Sequence, residues 1–324
     1  MKKPNVLILG CGVSGLSCGI SLLERNFSVT IVAHTLPPNT TSNAAGAIWF
    51  PYKSYPEGRV LGWGRFSFNE YLKLKEIAGT GVSFIKLILP FEHKVIDPEW
   101  KDIVHNFHRI SQEELPQGYS DGYVVEVPII ETPVYVQYLM KRFTGLGGKV
   151  QKTDKEISEL SELYPDKKLI VNCSGLGARK ICGDKEVYPI RGQVVRTSNP
   201  GIKRSIIIED GPLALSYIMP RGKDCILGGT AEENEWSLEI NPDTAQEILN
   251  KCQQLEPSLR NADILEHKVG LRPGRKEVRL ELEQVSAECA VIHNYGHGGA
   301  GFTLSWGCAE EVAELAERFY MESA

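Results

Sequence analysis

Hydrophobic and polar positions at the start of the chain follow the pattern of a strand, a helix and a second strand. The apolar run "NVLIL" (5–9) predicts a buried strand, a glycine turn and an apolar helix ending near Arg25 follow it, and "SVTIV" (28–32) predicts another strand. Two such strands joined by a helix form a βαβ unit. The pattern therefore predicts that the chain begins with an α/β domain.

Two later stretches again show the pattern of predicted helices and strands of an α/β domain. "ETPVYVQYLMKRF" (131–143) predicts a helix with Thr132 as the N-cap and Pro133 at its first position, and the strand "KLIVNCSG" (168–175) follows. Near the C-terminus the strand "AVIHN" (290–294) leads through a glycine run into a helix. We therefore expect a discontinuous α/β domain. The apolar residues of the last helix stand at positions 302, 306, 309, 312, 313, 316 and 319.

The segments between these pieces have a different character. Aromatic residues, prolines and glycines are dense from Trp49 to Val127, and short strands with turn residues between them follow later in the chain. One helix is predicted there, over "NPDTAQEILNKCQQL" (241–255), because Pro242 and Asp243 start it. The predicted strands are "QVVRT" (193–197), "SIIIE" (205–209), "LSYIMP" (215–220) and "CILGGT" (225–230).

The contrast between the α/β segments and the segments of short strands predicts two domains. The first combines residues 1–48, 131–188 and 273–324, and the second combines residues 49–130 and 189–272. A chain of 324 residues has room for two domains of ordinary size and can bury a substantial core.

Composition and charge exclude several classes of partner. The hydrophobic and charged fractions, 42% and 24%, are those of a globular protein, and the net charge of −5 offers no basic surface for nucleic acid or acidic lipid. No apolar run approaches the roughly 18 residues of a membrane helix. The eight cysteines are scattered without a Cys-x-x-Cys pair, which is typical of a reduced, cytoplasmic protein. The sequence leaves open whether the chain forms a homo-oligomer.

The segment "GCGVSG" supplies the pattern Gly-x-Gly-x-x-Gly between the first predicted strand and helix. Gly10 allows the tight turn, Gly12 lets the backbone approach a pyrophosphate, and Gly15 lets the helix pack on the strand. The N-terminus of the helix then faces the negative charge. In this setting the motif predicts a dinucleotide site. The turn comprises Gly10, Cys11, Gly12, Val13, Ser14 and Gly15.

The end of the second predicted strand departs from the dinucleotide-binding pattern. A carboxylate is expected there to hold the ribose 2′-hydroxyl, and the chain has His34 and Thr35 instead. A second glycine-ended strand, "LIVNCSGLGA" (169–178), leaves the sheet at Gly175 and Gly177. This strand end fits either a cofactor site or a plain exit into a loop.

Several motifs together resemble the D-amino acid oxidase family. They occur in the same order and at compatible spacing over nearly the whole chain, and Gly-His-Gly-Gly-x-Gly before a helix is the most specific of them. The motifs are "GCGVSG" (10–15), "TTSNAAGAIWFPY" (40–52), "LSYIMP" (215–220), "GGT" (228–230), "VGLRP" (269–273) and "HNYGHGGAGFTLSWG" (293–307).

The resemblance implies an α/β fold with a discontinuous Rossmann-type FAD-binding domain and a substrate domain built on a mixed β-sheet. It also implies an oxidase that transfers hydride from the α-carbon of a D-amino acid to flavin N5. The imino acid hydrolyses to a 2-oxo acid and ammonia, and molecular oxygen is reduced to hydrogen peroxide, as in D-amino acid catabolism. Such chemistry needs positioning rather than a side-chain base at the α-carbon.

Four positions match the family's substrate-binding residues. Arg272 in "GLRP" matches the arginine that clamps the substrate carboxylate, for which a planar guanidinium is suited. Tyr217 in "SYIMP" matches a tyrosine that bonds to the same carboxylate, and Tyr52 in "FPY" matches a second active-site tyrosine. Gly299 matches the glycine whose carbonyl accepts from the substrate amine.

A larger set matches positions around the flavin. One group lies along the isoalloxazine ring, a second lies nearer the phosphates, and a third lies at the C2 carbonyl, where the last helix would direct its positive end. These residues are, in that order, Gly46, Ala47 and Ile48; Thr40, Thr41 and Ser42; and Gly301, Phe302 and Thr303. Gly298 is also expected to bind the cofactor.

The substrate side chain is predicted from one further position. Relatives that prefer D-aspartate carry an arginine after Gly-Gly-Thr, where this chain has Ala231, and neutral D-amino acids are therefore predicted. Arg204 or Arg221 would overturn this prediction by reaching the pocket. The alternatives are a D-aspartate or glycine-type oxidase on the same fold, a nicotinamide-dependent dehydrogenase, and a flavin-binding protein without catalysis. His297 is predicted to have a structural hydrogen-bonding role, and no metal is predicted.

Overall fold

Two β-sheets organise the structure of the chain, a computed structural model that describes residues 3–51, 54–113, 115–163, 168–286 and 289–322. The first sheet has six strands and the second has nine. Parallel and antiparallel neighbours occur in both sheets. The sheets and their covering helices confirm the predicted α/β fold with a mixed second sheet.

Strand β1 (Asn5–Leu9) lies inside the first sheet, parallel to both of its neighbours. Val6 to Leu9 are buried, as expected of a parallel strand that is covered on both faces. Within the described residues, the only antiparallel pair of this sheet joins β14 (Arg279–Gln284) to β15 (Ala290–Tyr295). The order across the sheet is β14 (Arg279–Gln284), β15 (Ala290–Tyr295), β7 (Leu169–Asn172), β1, β2 (Ser28–Ala33) and β6 (Lys149–Lys152).

Three helices cover one face of this sheet: α1 (Val13–Glu24), α4 (Thr132–Gly145) and α7 (Gly301–Glu322). Gly19 of α1 lies so close to the ring of Phe143 in α4 that a β-carbon at position 19 would overlap it. The predicted apolar positions of α7 are all buried, and the predicted βαβ opening is confirmed.

The start of α4 differs from the prediction. Its N-cap is Glu131, and Thr132 is the first helical residue, so the assignment of Thr132 as N-cap is wrong. The reason is that the Thr132 hydroxyl donates to the carbonyls of Asn43 (3.3 Å) and Ala45 (3.2 Å). Thr132 therefore ties α4 to the segment 40–48 instead of capping the helix. This segment, the 40–48 loop, includes the short helix α2 (Thr41–Ala44).

The second sheet carries long antiparallel pairs and one parallel contact, between β3 (Val82–Phe91) and β9 (Arg204–Ile207). Strand β13 (Ile264–Gly274) lies beside β8 (Tyr188–Ser198), with Arg272 opposite Ile190. The remaining order is β12 (Glu232–Glu233), β8, β11 (Asp224–Gly228), β10 (Tyr217–Arg221), β9 (Arg204–Ile207), β3 (Val82–Phe91), β5 (Asp121–Ile130) and β4 (His105–Arg109).

The other helices are α2 (Thr41–Ala44), α3 (Glu57–Leu74), α5 (Ala178–Ile181) and α6 (Pro242–Leu255). The predicted start of α6 is confirmed, because the Asn241 side chain accepts from the amides of Asp243 (2.9 Å) and Thr244 (3.1 Å). No helix in the described ranges is both long enough and apolar enough to span a membrane.

Candidate active site

A cavity of about 1060 Å³ is lined by residues from both sheets. Pockets for drug-sized ligands have volumes of roughly 300–1,000 Å³, so this cavity suits a large ligand together with a small one. Its wall combines the glycine turn before α1, the 40–48 loop, the ends of β2 and β7, and the start of α7 with strands of the second sheet. The two sets of predicted site residues, for cofactor and for substrate, therefore meet in one space.

The glycine turn has the close approaches that the sequence predicts. Gly10 has φ of +108°, and a β-carbon there would collide with the carbonyl of Cys173. Gly15 packs against the carbonyl of Gly10 and does not line the cavity, in keeping with its predicted packing role. The amide of Val13 donates to the hydroxyl of Ser42 at 2.9 Å, which joins the turn to the 40–48 loop. Residues 10–14 all line the cavity.

The strand end after β7 also lies on the cavity. Residues 173–177 line it, so the structure brings this segment to the same space as the glycine turn. Of the two interpretations left open by the residues alone, the cofactor site fits this placement. Gly175 has φ of +58°, a conformation that glycine adopts without strain.

The end of β2 presents His34 and Thr35 to the cavity, as predicted. His34 Nδ1 lies 3.1 Å from the carbonyl oxygen of Thr153, at the end of the neighbouring strand β6. Glu156 follows three residues later, lines the same cavity and lies 3.3 Å from Lys180. Glu156 was not predicted, because the dinucleotide-binding pattern places the carboxylate on β2, whereas this one lies in the segment that follows β6.

The 40–48 loop crosses from the first sheet to the second. Ala47 has φ of +52°, an uncommon conformation for a residue with a β-carbon, and such strained positions cluster at functional sites. The amide of Ile130 donates to the carbonyl of Ala47 at 2.8 Å and holds it. The predicted residues of this loop, Thr40, Thr41, Ser42, Gly46, Ala47 and Ile48, all line the cavity.

The glycine run connects β15 to α7 along the cavity wall. Gly296 and Gly298 have φ of +84° and +54°, which explains glycine at these two positions. Gly298, Gly299, Gly301 and Phe302 line the cavity, whereas Ala300 between them turns its methyl group into the core and is fully buried. The first amides of α7 therefore lie at the cavity without intrahelical partners.

Thr303 does not line the cavity with its neighbours. Its hydroxyl donates to the carbonyl of Phe50 (3.0 Å) and accepts from the amide of Phe50 (3.1 Å). The side chain thus fastens α7 to the segment after the 40–48 loop, and only the backbone of Thr303 is left to serve a ligand.

His297 is 3% exposed and its Nε2 lies 2.9 Å from the side-chain oxygen of Asn294. Burial lowers the pKa of His297 to about 4, so the ring is neutral at pH 7. Its carbonyl accepts from the Ser54 hydroxyl at 3.2 Å. These contacts confirm a structural hydrogen-bonding role.

Arg272 and Tyr217 reach the cavity from strands that are separated by β8 and β11. The Arg272 guanidinium lies over Gly192 of β8 and donates to the carbonyl of Thr230 at 3.1 Å. The ring of Tyr217 lies over Gly228 of β11, with its hydroxyl 3.1 Å from the place of a β-carbon at Gly229. Both side chains therefore end beside the same short segment of chain: the Tyr217 hydroxyl lies beside Gly229, and the Arg272 guanidinium lies beside Thr230.

The charge of Arg272 is uncompensated. Within the described part of the chain no carboxylate pairs with it, whereas the nearby Arg275 binds Asp184 (3.0 Å) and Glu186 (2.9 Å). A half-buried guanidinium that lines a cavity without a carboxylate is prepared to bind an anionic ligand. Tyr52 lies outside the described residues, and its neighbours Pro51 and Tyr55 line the cavity.

The positions that bear on the substrate side chain are also placed. Ala231 lines the cavity. Arg204 and Arg221 are absent from its wall, and Arg221 is bound to Asp224 at 3.1 Å. Neither arginine therefore overturns the prediction made from Ala231.

Glu209 lines the cavity and was not identified from the sequence. Burial raises the pKa of its carboxyl, and the neighbouring Asp210 raises it further. A single carboxylate in a loop after a strand has no periodic pattern that would have marked it.

Comparisons with known proteins identify the family of the chain. Residues 5–315 match the family model described as FAD dependent oxidoreductase. The chain is 48% identical to a D-amino-acid oxidase of Rubrobacter xylanophilus, over 96% of this chain and 95% of that one. It is 38% identical to a D-amino-acid oxidase of Dictyostelium discoideum, over 98% and 92% of the two chains.

A human relative and a solved structure complete the comparison. The chain is 35% identical to a D-aspartate oxidase of Homo sapiens, over 97% of this chain and 95% of that one. The structure of a glycine oxidase from Geobacillus kaustophilus has a TM-score of 0.80 at 19% identity, over 98% and 95% of the chains, and shares the fold. The chain therefore belongs to the D-amino acid oxidase family of FAD-dependent oxidoreductases.

Proposed function

We propose that this protein oxidises D-amino acids with FAD as its cofactor. A D-amino acid, water and oxygen give a 2-oxo acid, ammonia and hydrogen peroxide. The observation that carries the proposal is the uncompensated guanidinium of Arg272, beside Tyr217, in the same cavity as a glycine turn built for a dinucleotide. When bound, FAD supplies the two-electron acceptor and returns the electrons to oxygen.

The cavity fits FAD on the evidence of its glycine turn. A β-carbon at Gly10 would push the turn away from β7, and one at Gly12 would stand 3.0 Å from the Ser42 hydroxyl. This packing keeps the backbone at the N-terminus of α1 open to a pyrophosphate. We assign the flavin to residues 46–48 and to the start of α7, whose free amides would stabilise negative charge at the flavin C2 carbonyl.

The ribose of the adenosine half is assigned to Glu156. Two carboxylate side chains line the cavity within the described residues, Glu156 and Glu209. Glu209 lies in the loop after β9 of the second sheet. Glu156 follows three residues after Thr153, whose carbonyl contacts His34 at the end of β2, where the dinucleotide-binding pattern needs an acceptor for the ribose hydroxyls. We therefore assign this role to Glu156, in the segment that follows β6.

The substrate is held by orientation rather than by a base. Arg272 pairs with the α-carboxylate, Tyr217 donates to the same group, and the carbonyl of Gly299 accepts from the α-amine. Tyr52 is proposed as a second tyrosine of the site. We assign His297 no part in proton transfer, because a pKa lowered to about 4 makes its ring a weak base and its Nε2 is engaged with Asn294.

The division into an FAD-binding domain and a substrate domain stays part of this proposal. All six strands of the first sheet fall within 1–48, 131–188 and 273–324, which supports it.

The eight cysteines are free thiols, which supports a reduced, cytoplasmic location.

The function is tested by product formation with enantiomeric pairs. The holoenzyme is expected to consume oxygen and to form hydrogen peroxide and pyruvate with D-alanine but not with L-alanine. D-aspartate and glycine, under the same conditions, test the alternatives, and Ala231 predicts lower kcat/KM for both than for D-alanine or D-methionine. A strong preference for D-aspartate or glycine would replace the proposed substrate class.

A further inference from the structure

The charged groups on the cavity wall form an unusual set. Within the described residues that line the cavity, three side chains carry a formal charge at pH 7: Arg272, Glu156 and Glu209. Two histidines also line it, His34 at the end of β2 and His297 in the glycine run. Glu156 lies beside the end of β2, in the nucleotide half. Among the described residues, the substrate half of the cavity wall therefore carries one cation, Arg272, and one anion, Glu209.

Glu209 has no partner of its own. No hydrogen bond or ion pair joins its carboxylate to any residue within the described ranges, whereas Asp210 beside it pairs with His93 at 3.1 Å. The side chain is open to the cavity, yet enough protein surrounds it that burial raises its pKa. An unpaired carboxylate in partly desolvated surroundings is costly and gains from a bound cation.

The sheet places Glu209 within reach of a substrate anchored on Arg272 and Tyr217. Tyr217 pairs directly with Ile207, and the pairing continues through Ile208, whose amide donates to the Ser216 carbonyl at 2.9 Å. Glu209 follows two residues after Ile207, beyond the end of the strand Arg204–Ile207, and Ile207, Glu209 and Tyr217 all line the cavity. Paired residues lie about 5 Å apart and two residues of chain span at most about 7 Å, so the α-carbons of Tyr217 and Glu209 lie within about 12 Å of each other.

A long substrate side chain and the side chain of Glu209 can together cover a separation of this order. An extended lysine side chain spans about 6 Å from its α-carbon to its nitrogen, as its five bonds dictate. A D-amino acid whose carboxylate lies on Arg272 could thus direct a terminal cation to the Glu209 carboxylate.

Aromatic side chains share the cavity wall with Glu209. Tyr123 and Trp100 line the cavity, with ring centroids 5.7 Å apart in an edge-to-face arrangement. Burial raises the pKa of Tyr123, and the charge of Glu209 raises it further, which places the two groups near one another. Aromatic faces next to a carboxylate bind ammonium and guanidinium groups.

We infer that Glu209 is a specificity-determining residue that extends the substrate range to D-amino acids with a cationic side chain, such as D-lysine, D-ornithine and D-arginine. The inference rests on the proposed function and deepens it. Neutral substrates use Arg272 alone as their charged anchor. Basic substrates gain a second anchor, and acidic ones meet a like charge.

The test compares D-lysine with D-norleucine in the holoenzyme, because the two side chains differ only in the terminal ammonium group. The kcat/KM ratio of D-lysine to D-norleucine is expected to fall about tenfold in Glu209→Gln, mainly through KM for D-lysine. Asp210→Asn removes the same charge one residue away, from a side chain that does not line the cavity, and is expected to keep the ratio within about twofold. Glu209→Asp is expected to restore part of the ratio.

A binding measurement separates this inference from the proposed function. 6-Aminohexanoate and hexanoate lack the α-amine and cannot be oxidised at the α-carbon by loss of an amine; their dissociation constants are read from changes in the flavin absorbance. We expect the wild-type protein to prefer 6-aminohexanoate, relative to Glu209→Gln, by about tenfold. If neither D-norleucine nor D-alanine is oxidised, the proposed function fails, and this binding preference still decides the inference.

Three results would overturn the inference. One is a D-lysine to D-norleucine ratio that Glu209→Gln leaves unchanged. Another is an equal loss for both substrates, which would place Glu209 at the α-amine or in a structural role. The third is equal binding of 6-aminohexanoate and hexanoate to the wild-type protein and the variant.

Discussion

The guanidinium group of Arg272 occupies the space that a side chain at Gly192 would fill. The two residues lie on the paired strands β13 and β8, where Gly192 is directly opposite Gly270, and Arg272 reaches diagonally across. From there it donates to the carbonyl of Thr230 at 3.1 Å. The glycine at position 192 is thus what lets an arginine from β13 reach the cavity.

Gly192→Ala is expected to displace Arg272 without removing it. The β-carbon at position 192 would overlap the guanidinium, and a clamp moved by even 1 Å loses much of its effect. We expect KM for D-alanine to rise at least about tenfold while FAD stays bound. Gly62→Ala is the matched control, since nothing lies within 4 Å of a β-carbon at position 62. An unchanged KM in Gly192→Ala would contradict the geometry of the clamp.

Arg272→Leu is expected to have a larger effect than the glycine variant. Loss of one partner of a charge-assisted pair costs about 2–5 kcal/mol, so kcat/KM for D-alanine should fall about a hundredfold or more. Arg272→Lys keeps the charge but loses the planar fork, so its kcat/KM for D-alanine should lie between that of the wild-type protein and that of Arg272→Leu. Flavin absorbance after gel filtration checks that FAD is retained. Steady-state kinetics that stay at the wild-type level would remove Arg272 from the site.

Glu156→Gln is expected to weaken FAD binding about tenfold, because a hydrogen bond to a charged acceptor contributes about 1.5–3 kcal/mol. The dissociation constant is measured by flavin fluorescence as FAD is added to protein from which it has been removed. Glu159→Gln, in the same loop but off the cavity wall, is the control and should bind FAD normally. Equal affinities in both variants would show that Glu156 does not hold the ribose.

His297 is expected to make stability depend on pH. Its pKa is lowered to about 4 in the folded protein, against 6.5 ordinarily, so the unfolded state binds more protons between these values. The stabilising effect of the neutral ring is complete above pH 6.5 and is lost as pH falls toward 4. Between pH 7 and pH 5, His297 should lower the free energy of unfolding by about 2 kcal/mol.

Urea unfolding of the FAD-saturated protein measures this effect. Other groups titrate in the same range, so the quantity of interest is the difference from His297→Asn, which cannot titrate there. The variant should show a pH dependence that is shallower by about 2 kcal/mol. Parallel pH profiles for the two proteins would mean that the ring is not held neutral by burial.

Local patterns made four of the six strands of the first sheet predictable, whereas β6 and β14 were not predicted. The apolar run 5–9, the glycine turn and the next strand specify a βαβ unit through nearest neighbours in sequence, and the structure has that unit. The same holds for α6, whose start is marked by Asn241 and Pro242. Where structure follows from spacing and turn residues, the prediction succeeded.

Long-range pairing was not predictable in this way. Arg272 and Tyr217 meet because β13, β8, β11 and β10 lie side by side, an order that no periodicity contains; the two residues were found through a resemblance between motifs. Helix α3 was not predicted, since its glycines and aromatics read as loop and strand texture. Thr132 was misassigned because a tertiary partner captured its hydroxyl.

The most direct test of the proposed activity is reduction of the bound flavin without oxygen. The purified holoenzyme is mixed anaerobically with the D- and L-enantiomers of alanine and methionine, and flavin absorbance is followed. We predict rapid bleaching by the D-enantiomers alone, and return of the colour with formation of hydrogen peroxide when air is admitted. A flavin that no D-amino acid bleaches, or that L-enantiomers bleach as fast, would contradict the account.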